Sequence, residues 1–176
     1  MRIFNILFLI IFIGCEDNFI EIKNINSKNS FPVGETENLK LIYTDSAKVK
    51  AILISSLNKD FSNYIFPYSE FPNGLEITFF DKKNNKTIVK SDYAIAYNNT
   101  NIVNLVGNVI INNHDGSELK TNQLYWDPEL EWLFTEDKFT FKNSDYDITA
   151  KRLDTNRSFS IFNTGKLDGK VLVEDK

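Results

Sequence analysis

The sequence predicts an all-β protein, built as one antiparallel sandwich, jelly roll or barrel. Short segments with alternating apolar residues recur along the chain, and polar turn residues separate them. Aromatic residues make up 14% of the composition, a bias typical of strands. The segments between turns are too short for the crossovers that parallel strands require, which favours antiparallel pairing. The 176 residues fit a single domain.

Residues 1–14 are predicted to be a lipoprotein signal peptide. Met1-Arg2 supplies a positive end, and the following apolar run to residue 13 is shorter than the roughly 20 residues that span a bilayer. Gly14 then precedes Cys15, the single cysteine of the chain. A small residue before a cysteine is typical of bacterial lipoproteins, whose thiol receives a diacylglyceryl group. Cys15 is therefore the predicted lipidation site, with an ordinary cleaved signal and an uncleaved anchor as the alternatives.

Residues 15–32 are predicted to be a flexible tether that follows the lipidated cysteine. The segment is polar, rich in Asn and Lys, and shows neither a helical nor a strand period. Pro32 and Gly34 close it. Residues 33–176 then form the predicted β-domain, in which a turn of helix is considered only near residues 57–63.

The first predicted strand covers residues 46–55, with Val49, Ala51 and Leu53 on one face. Residues 75–79 alternate cleanly between apolar and polar side chains. The polar turn at residues 81–86 joins them to a further extended segment, which continues to residue 97. These segments indicate an up-and-down succession of strands.

The clearest predicted strand covers residues 103–112. Val103, Leu105, Val109 and Ile111 share one face, and the intervening Gly107 indicates a bulge or a close backbone approach. Asp115-Gly116 predicts a tight hairpin after this strand, because both residues tolerate positive φ. The remaining predicted strands are residues 119–126, 130–135, 138–142, 146–151, 157–162 and 170–173.

The sequence offers little support for catalysis, a metal or a cofactor. The single histidine, His114, falls in a hairpin turn, where an exposed position is expected. The carboxylate pairs Asp145 with Asp147 and Glu136 with Asp137 could act as acid and base or as calcium ligands. Neither pair belongs to a fuller ligand set, so solvated loop charge is the favoured interpretation. The net charge of −4 argues against a nucleic-acid partner. We expect no enzyme activity.

From Leu41 onward, short motifs appear in a defined order. They are Tyr43-Thr44-Asp45-Ser46, the run from Phe66 to Leu75, Lys90-Ser91-Asp92-Tyr93-Ala94, Gly107-Asn108-Val109, Asp115-Gly116, Leu119-Lys120-Thr121, Leu124-Tyr125-Trp126-Asp127, Thr135-Glu136-Asp137 and the run from Gly165 to Val171. Together they resemble the LptC family, the periplasmic bridge of lipopolysaccharide export. The resemblance covers nearly the whole predicted domain.

The resemblance implies a slightly twisted, open β-jellyroll that carries lipopolysaccharide without being an enzyme. Its interior face is expected to bind the lipid A acyl chains, whereas the alternating pattern alone fits a packed core equally well. The implied partners are the inner-membrane lipopolysaccharide ABC transporter and the next periplasmic LptA-like jellyroll protein. The predicted lipid-binding residues are Val103, Leu105, Val109, Ile111, Leu124, Phe139, Phe141 and Ile161.

Docking of these partners is expected on edge strands, by pairing of backbone groups between chains. Val49, Ala51 and Leu53 represent the amino-terminal edge, and Val171 and Val173 represent the carboxy-terminal edge. The predicted location is the periplasm, with a lipid anchor in a membrane, the inner one favoured over the outer. Family members often carry a transmembrane helix in place of such an anchor.

One departure from the family concerns a Gly-x-Gly pair, which is replaced here by Ala150 and Arg152. Two other functions are also considered. The first is a structural β-sandwich lipoprotein that binds protein partners through its edges. The second is a glycan-binding lipoprotein that uses Tyr125, Trp126 and Trp132. A filled interior would favour the structural alternative, and a row of exposed aromatics would favour the glycan alternative.

Overall fold

The computed structural model describes residues 31–165, and this part of the chain contains strands and no helix. Eleven strands pair antiparallel in one sheet, which confirms the predicted all-β class. Within these residues, nothing helical has the length and hydrophobicity needed to traverse a bilayer. The strands are β1 (Gly34–Asp45), β2 (Lys48–Phe61), β3 (Tyr68–Phe71), β4 (Leu75–Phe80), β5 (Lys86–Ser91), β6 (Tyr93–Tyr97), β7 (Val103–Asn113), β8 (Glu118–Asp127), β9 (Trp132–Lys142), β10 (Asp147–Asn156) and β11 (Phe162–Thr164).

The sheet is an up-and-down meander, because each rung pairs with the next rung along the chain. The short strands β3 and β4 together form one rung, since both pair with β2. In the same way, β5 and β6 together form one rung, since both pair with β7. Hairpin connections of this kind need no crossover, which explains why short polar turns suffice between the strands.

A line of irregular residues, which we call the crease, crosses the sheet at the middle of the rungs. The register of strand pairing shifts in three places: between β7 and β8, between β8 and β9, and between β9 and β10. Several crease residues have positive φ, which strands otherwise avoid. Bulges of this kind increase local bending of a strand. The crease comprises Asn38, Gly74, Asp92, Gly107, Asn108, Glu136, Asp137 and Arg152.

Close approaches and hydrogen bonds hold the crease together. A Cβ at Gly74 would lie 2.1 Å from the carbonyl oxygen of Ser91, so only glycine allows this approach. The Ser55 hydroxyl lies 2.7 Å from the Gly74 carbonyl oxygen. Asn108 Nδ2 donates to Asp92 Oδ2 at 2.6 Å. The predicted irregularity at Gly107 is confirmed, because the register shifts there and its φ is +77°.

The crease divides the sheet into two half-sheets that pack against each other. Aromatic pairs connect them: Phe79 meets Trp126 with ring centroids 4.8 Å apart, and Phe141 meets Phe162 at 5.0 Å. The buried cluster lies between the half-sheets and draws residues from both. The first half-sheet comprises residues 39–54, 75–91, 109–121 and 138–151, and the second comprises residues 33–37, 57–71, 93–106, 123–135 and 153–164.

Three sequence-based expectations about local structure are wrong. The strand predicted over residues 157–162 is mostly the turn between β10 and β11, because β10 ends at Asn156 and β11 begins only at Phe162. The helical turn considered near residues 57–63 is instead the end of β2, which extends to Phe61. The strand series begins with β1, which the sequence analysis did not identify as a strand. β1 was missed because most of its side chains are exposed and it alternates polar with apolar residues only in its second half. The predicted signal peptide and all but the last residues of the predicted tether lie outside the described residues.

Arg152 occupies the crease position at which the resemblance expected a glycine. Its φ is +67°, in the left-handed region that disfavours side chains bearing a Cβ. The backbone therefore keeps the conformation that glycine would adopt, and arginine adopts it under strain. Glu136 Oε1 lies 3.6 Å from Arg152 Nε across the strand pair.

Candidate functional site

An open groove of about 980 Å³ lies between the two half-sheets on the β1 side. The volume is at the upper end of the ~300–1,000 Å³ typical of ligand sites. Leu41, Leu53 and Ile77 line it from neighbouring strands of the first half-sheet. They share a face because Leu41 pairs with Leu53, and Leu53 pairs with Ile77. The groove therefore has an apolar floor made by three adjacent rungs.

β1 extends the apolar floor into solvent. Leu41 is 53% exposed and Tyr43 is 64% exposed, yet both line the groove. Successive strand residues point to opposite faces, so Ile42 between them lies on the outer face of the sheet. Large apolar side chains that face an open space form a surface suited to bind an apolar ligand.

The rim of the groove carries charges of both signs. Asp45, Asp81 and Glu129 are among the acidic lining residues, and Lys50 and Lys82 are among the basic ones. This mixture gives the rim no strong preference for a cationic or an anionic group. Any preference of this site for one class of ligand therefore comes from the apolar floor.

Asp81 is held in the turn between β4 and β5. Its Oδ1 accepts hydrogen bonds from the backbone N–H groups of Asn85 and Lys83, each at 2.8 Å. These bonds favour the charged form, and the Asn85 bond is the largest cause of a lowered pKa at Asp81. The carboxylate thus stabilises the turn at the groove rim.

One end of the groove has a wall, which is formed by Phe79, Trp126, Arg157 and Glu131. The Phe79 ring contacts the Trp126 ring and also lies 5.1 Å from the Arg157 guanidinium carbon. Arg157 Nη2 lies 3.1 Å from Glu131 Oε1, and the Arg157 backbone N–H donates to the Glu131 carbonyl oxygen at 3.0 Å. The wall joins the first half-sheet to the second.

The interior is closely packed behind the wall. The space that Leu105, Ile111 and Leu133 border amounts to only about 10 Å³, against about 980 Å³ in the groove. The groove and the packed interior are therefore two regions of one apolar space. The wall separates them.

Most of the residues predicted to bind lipid are buried. They lie in the packed interior and do not line the groove. Six of them are at most 5% exposed: Leu105, Val109, Ile111, Leu124, Phe139 and Phe141. Val103 is partly buried against the same cluster. Ile161 differs, because its side chain is 50% exposed in the segment before β11. The pattern identified the inward face of the sheet but could not distinguish core from groove.

The groove-lining residues were largely missed by sequence reasoning. Leu41 and Tyr43 lie on β1, and the alternation Leu39, Leu41, Tyr43 is the signal that could have identified them. Trp126 was considered as a glycan contact. Instead, it faces the interior, and its Nε1 is buried without a hydrogen-bond partner among the described residues. Tyr125 stacks on Phe134 at 5.1 Å on the opposite face.

The edge assignment of Val49, Ala51 and Leu53 needs correction. These residues lie on β2, which pairs with β1 on one side and with β4 on the other. The amino-terminal edge of the described sheet is β1 instead, because β1 pairs only with β2. At the other end, β11 pairs only with β10 among the described residues. Val171 and Val173 lie outside the described residues, as does Cys15.

The polar candidates for chemistry are solvent-facing except Asp137, which is half-buried. His114, Asp145 and Asp147 are exposed turn or strand-end residues. Glu136 is exposed at the crease, opposite Arg152. Among residues 31–165, no group of three or more His, Cys, Asp and Glu side chains is arranged to hold a metal ion.

Comparison with known proteins identifies a family. No curated protein matches the chain. A family model described as "Lipopolysaccharide-assembly, LptC-related" matches residues 73–163. This region runs from the crease at Gly74 to β11 and covers 91 of the 176 residues, more than half of the chain. The chain therefore belongs to the LptC family of lipopolysaccharide assembly.

Proposed function

We propose that the protein is a non-enzymatic carrier that holds lipopolysaccharide by its acyl chains in the groove. The observation that carries this proposal is the open apolar floor formed by Leu41, Leu53 and Ile77. Burial of acyl surface on such a floor contributes about 25 cal/mol per Å². Family membership places the chain in lipopolysaccharide assembly, and lipid A supplies acyl chains of the required chemistry.

The balanced charge of the groove rim supports binding through the tails. A site that selected the phosphorylated sugar would need a cluster of cations around the opening. Instead, Asp45 and Glu129 accompany Lys50 and Lys82 there. The headgroup would then remain in solvent while the tails lie on the apolar floor.

Transfer requires exits at both ends of the sheet. β1 offers an edge strand twelve residues long to an inner-membrane ABC transporter, and the β11 side offers one to an LptA-like jellyroll protein. Pairing of a partner strand at either edge would extend the sheet by backbone hydrogen bonds. The groove floor reaches the β1 edge directly, so lipid would enter from that side.

A periplasmic location with a lipid anchor at Cys15 completes the proposal. The anchor would hold the carrier beside the membrane that supplies its lipid, and we favour the inner membrane. Diacylglyceryl chains retain a protein at a bilayer, because each buried CH₂ contributes about 0.8 kcal/mol. Mass spectrometry of Cys15 in the membrane fraction tests this part.

Photo-crosslinking tests the groove itself. Benzoylphenylalanine replaces Tyr43, which lines the groove, or Ile42, the adjacent outer-face residue with 54% exposure. During active transport, the probe at Tyr43 should capture lipopolysaccharide and the probe at Ile42 should not. Capture at neither position, or equal capture at both, would contradict the groove as the carrying site. A structural lipoprotein with no cargo would give the first of these results.

A further inference from the structure

The loop between β2 and β3, residues 62–67, presents an apolar tip to solvent. We call it the aromatic loop. Ile65 is fully exposed and Phe66 is 48% exposed, and none of the six residues carries a charge. The two neighbouring side chains form a small apolar patch at the end of a projecting loop, which makes the loop a candidate for a contact.

Aromatic rings form the base of this loop. The Phe61 and Tyr68 rings stack with centroids 4.7 Å apart, and Tyr64 packs edge-on against Tyr68 at 5.7 Å. Phe66 lies 5.6 Å from the ring of Tyr97 in the next rung. The tip is therefore mounted on a rigid aromatic base. Tyrosines behind an apolar tip match the arrangement at membrane interfaces, where the ring is buried and the hydroxyl is hydrated.

The neighbouring turn shares this lack of charge. Residues 98–101 are Asn-Asn-Thr-Asn, and the Asn98 backbone N–H donates to the Pro67 carbonyl oxygen at 3.0 Å. The turns at the opposite end of the rungs are charged, with Asp45 and Lys48, then Asp81, Lys82 and Lys83. The aromatic loop and the turn at residues 98–101 can therefore enter an apolar phase without burying charge, unlike the next turn at the same end, which holds Glu129 and Glu131.

The amino-terminal side of the domain lies at this same end. The Val33 backbone N–H donates to the Asp60 carbonyl oxygen at 2.7 Å, and Gly34 pairs with Asp60, next to the aromatic loop. The chain from Cys15 to Val33 spans at most roughly 60 Å even when fully extended. A lipid on Cys15 would therefore keep the aromatic loop within reach of the bilayer. At the resulting high effective concentration, a weak contact suffices.

We propose that the aromatic loop inserts Ile65 and Phe66 into the interface of the bilayer that holds the Cys15 lipid. The inference rests on the proposed anchor and is independent of what the groove carries. It orients the domain, with the start of β1 at Gly34 and the uncharged turns towards the membrane. Asn101, which lines the groove, belongs to the turn beside the loop, so this orientation would also bring one end of the groove near the bilayer.

A protein partner fits the loop less well. Stable protein interfaces bury about 800 Å² on each partner, which two projecting side chains do not supply. The contact also needs no anionic lipid, because the loop is uncharged and Lys59, which precedes it in β2, lies 3.4 Å from Glu35 Oε1. Insertion should therefore occur in zwitterionic bilayers and should be insensitive to salt.

The test uses the full lipidated chain in phosphatidylcholine vesicles. Ile65→Cys carries an NBD fluorophore, and bromolipids in the vesicles act as quenchers. Lys83→Cys is the control at the charged end of the rungs. Leu130→Cys is a matched apolar control, because Leu130 is 72% exposed but flanked by Glu129 and Glu131. All three side chains are exposed, so their replacement leaves the core intact.

We expect a blue shift and a bromolipid-dependent loss of NBD emission at position 65, unchanged at high salt and absent at positions 83 and 130. Equal emission at all three positions would overturn the loop contact. Protection of position 65 only after an envelope extract is added would overturn it in favour of a protein partner. If the natural chain takes up the NBD label, its Cys15 thiol is free, and this result would overturn the proposed lipid anchor. The Tyr43 crosslink remains a separate test of the carrier function.

Discussion

Three glycines provide a graded test of the crease. Gly34 has no positive φ, and a Cβ there would meet no atom within 4 Å. Gly116 has φ of +85° but is equally open. Gly74 combines φ of +79° with backbone atoms close to the position of a Cβ. Replacement of each by alanine therefore separates the effect of backbone conformation from that of close approach.

The expected free energies follow from these differences. Gly34→Ala should raise the free energy of unfolding by about 0.5 kcal/mol, because alanine restricts the unfolded chain. Gly116→Ala should lower it by about 1 kcal/mol, since the left-handed conformation disfavours a Cβ by roughly 1–2 kcal/mol. Gly74→Ala adds the overlap with the Ser91 carbonyl oxygen at 2.1 Å. Overpacking of this kind typically costs a further 1–3 kcal/mol.

Urea unfolding of the full chain in detergent, followed by tryptophan fluorescence, measures the three values. Thermal unfolding gives a second readout, in which each kcal/mol corresponds to about 2–4 °C in Tm. Gly74→Ala should therefore lower Tm by roughly 10 °C, well beyond Gly116→Ala. Equal losses for Gly74→Ala and Gly116→Ala would refute the reasoning, because the close approach at the crease would then have no energetic consequence.

Three further predictions concern stability, each measured by the same unfolding assay. Ser55→Ala should lower the free energy of unfolding by about 1–2 kcal/mol, because its buried hydroxyl is hydrogen-bonded. Ser91→Ala should leave it unchanged or raise it, because that buried hydroxyl has no partner among the described residues; equal losses in the two variants would contradict this. Arg152→Gly should be about 1 kcal/mol less destabilising than Lys151→Gly, since only Arg152 has positive φ, and a larger loss at Arg152 would refute the strain argument. The pKa of Asp81 is lowered in the folded state, so its contribution is present above the unfolded pKa of about 4 and is lost as pH falls below it. Asp81→Asn should therefore reduce the loss of stability between neutral pH and pH 3, and an unchanged profile would count against the turn hydrogen bonds.

The strand ladder was predictable because its signals are local. Alternation identified the inward faces of β4 and β7, and Asp115-Gly116 identified a hairpin. Gly107 was predicted to mark an irregularity, and it lies at the crease. Each of these signals depends on neighbours within a few residues of sequence.

The groove was not predictable, because it depends on which rungs face each other after the sheet bends. Leu105 and Leu41 have the same inward orientation in their strands, yet Leu105 is fully buried and Leu41 is 53% exposed. The difference arises because the facing half-sheet covers Leu105 but leaves Leu41 open to the groove. The edge strand was misplaced for a related reason: β1 is mostly exposed and lacks the apolar content that identified β2.

Lipopolysaccharide binding by two matched variants tests the central claim most directly. Leu41 and Ile42 are adjacent on β1 and are 53% and 54% exposed, but only Leu41 lines the groove. Replacement by aspartate changes hydrophobicity and charge similarly at the two positions. A ligand can newly bury about half of the Leu41 side chain, worth about 1 kcal/mol, and a carboxylate on the apolar floor adds a desolvation cost, so Leu41→Asp should weaken binding about tenfold. Ile42→Asp should leave the affinity close to that of the natural chain. Equal affinities for the two variants would contradict the groove as the site that carries lipid.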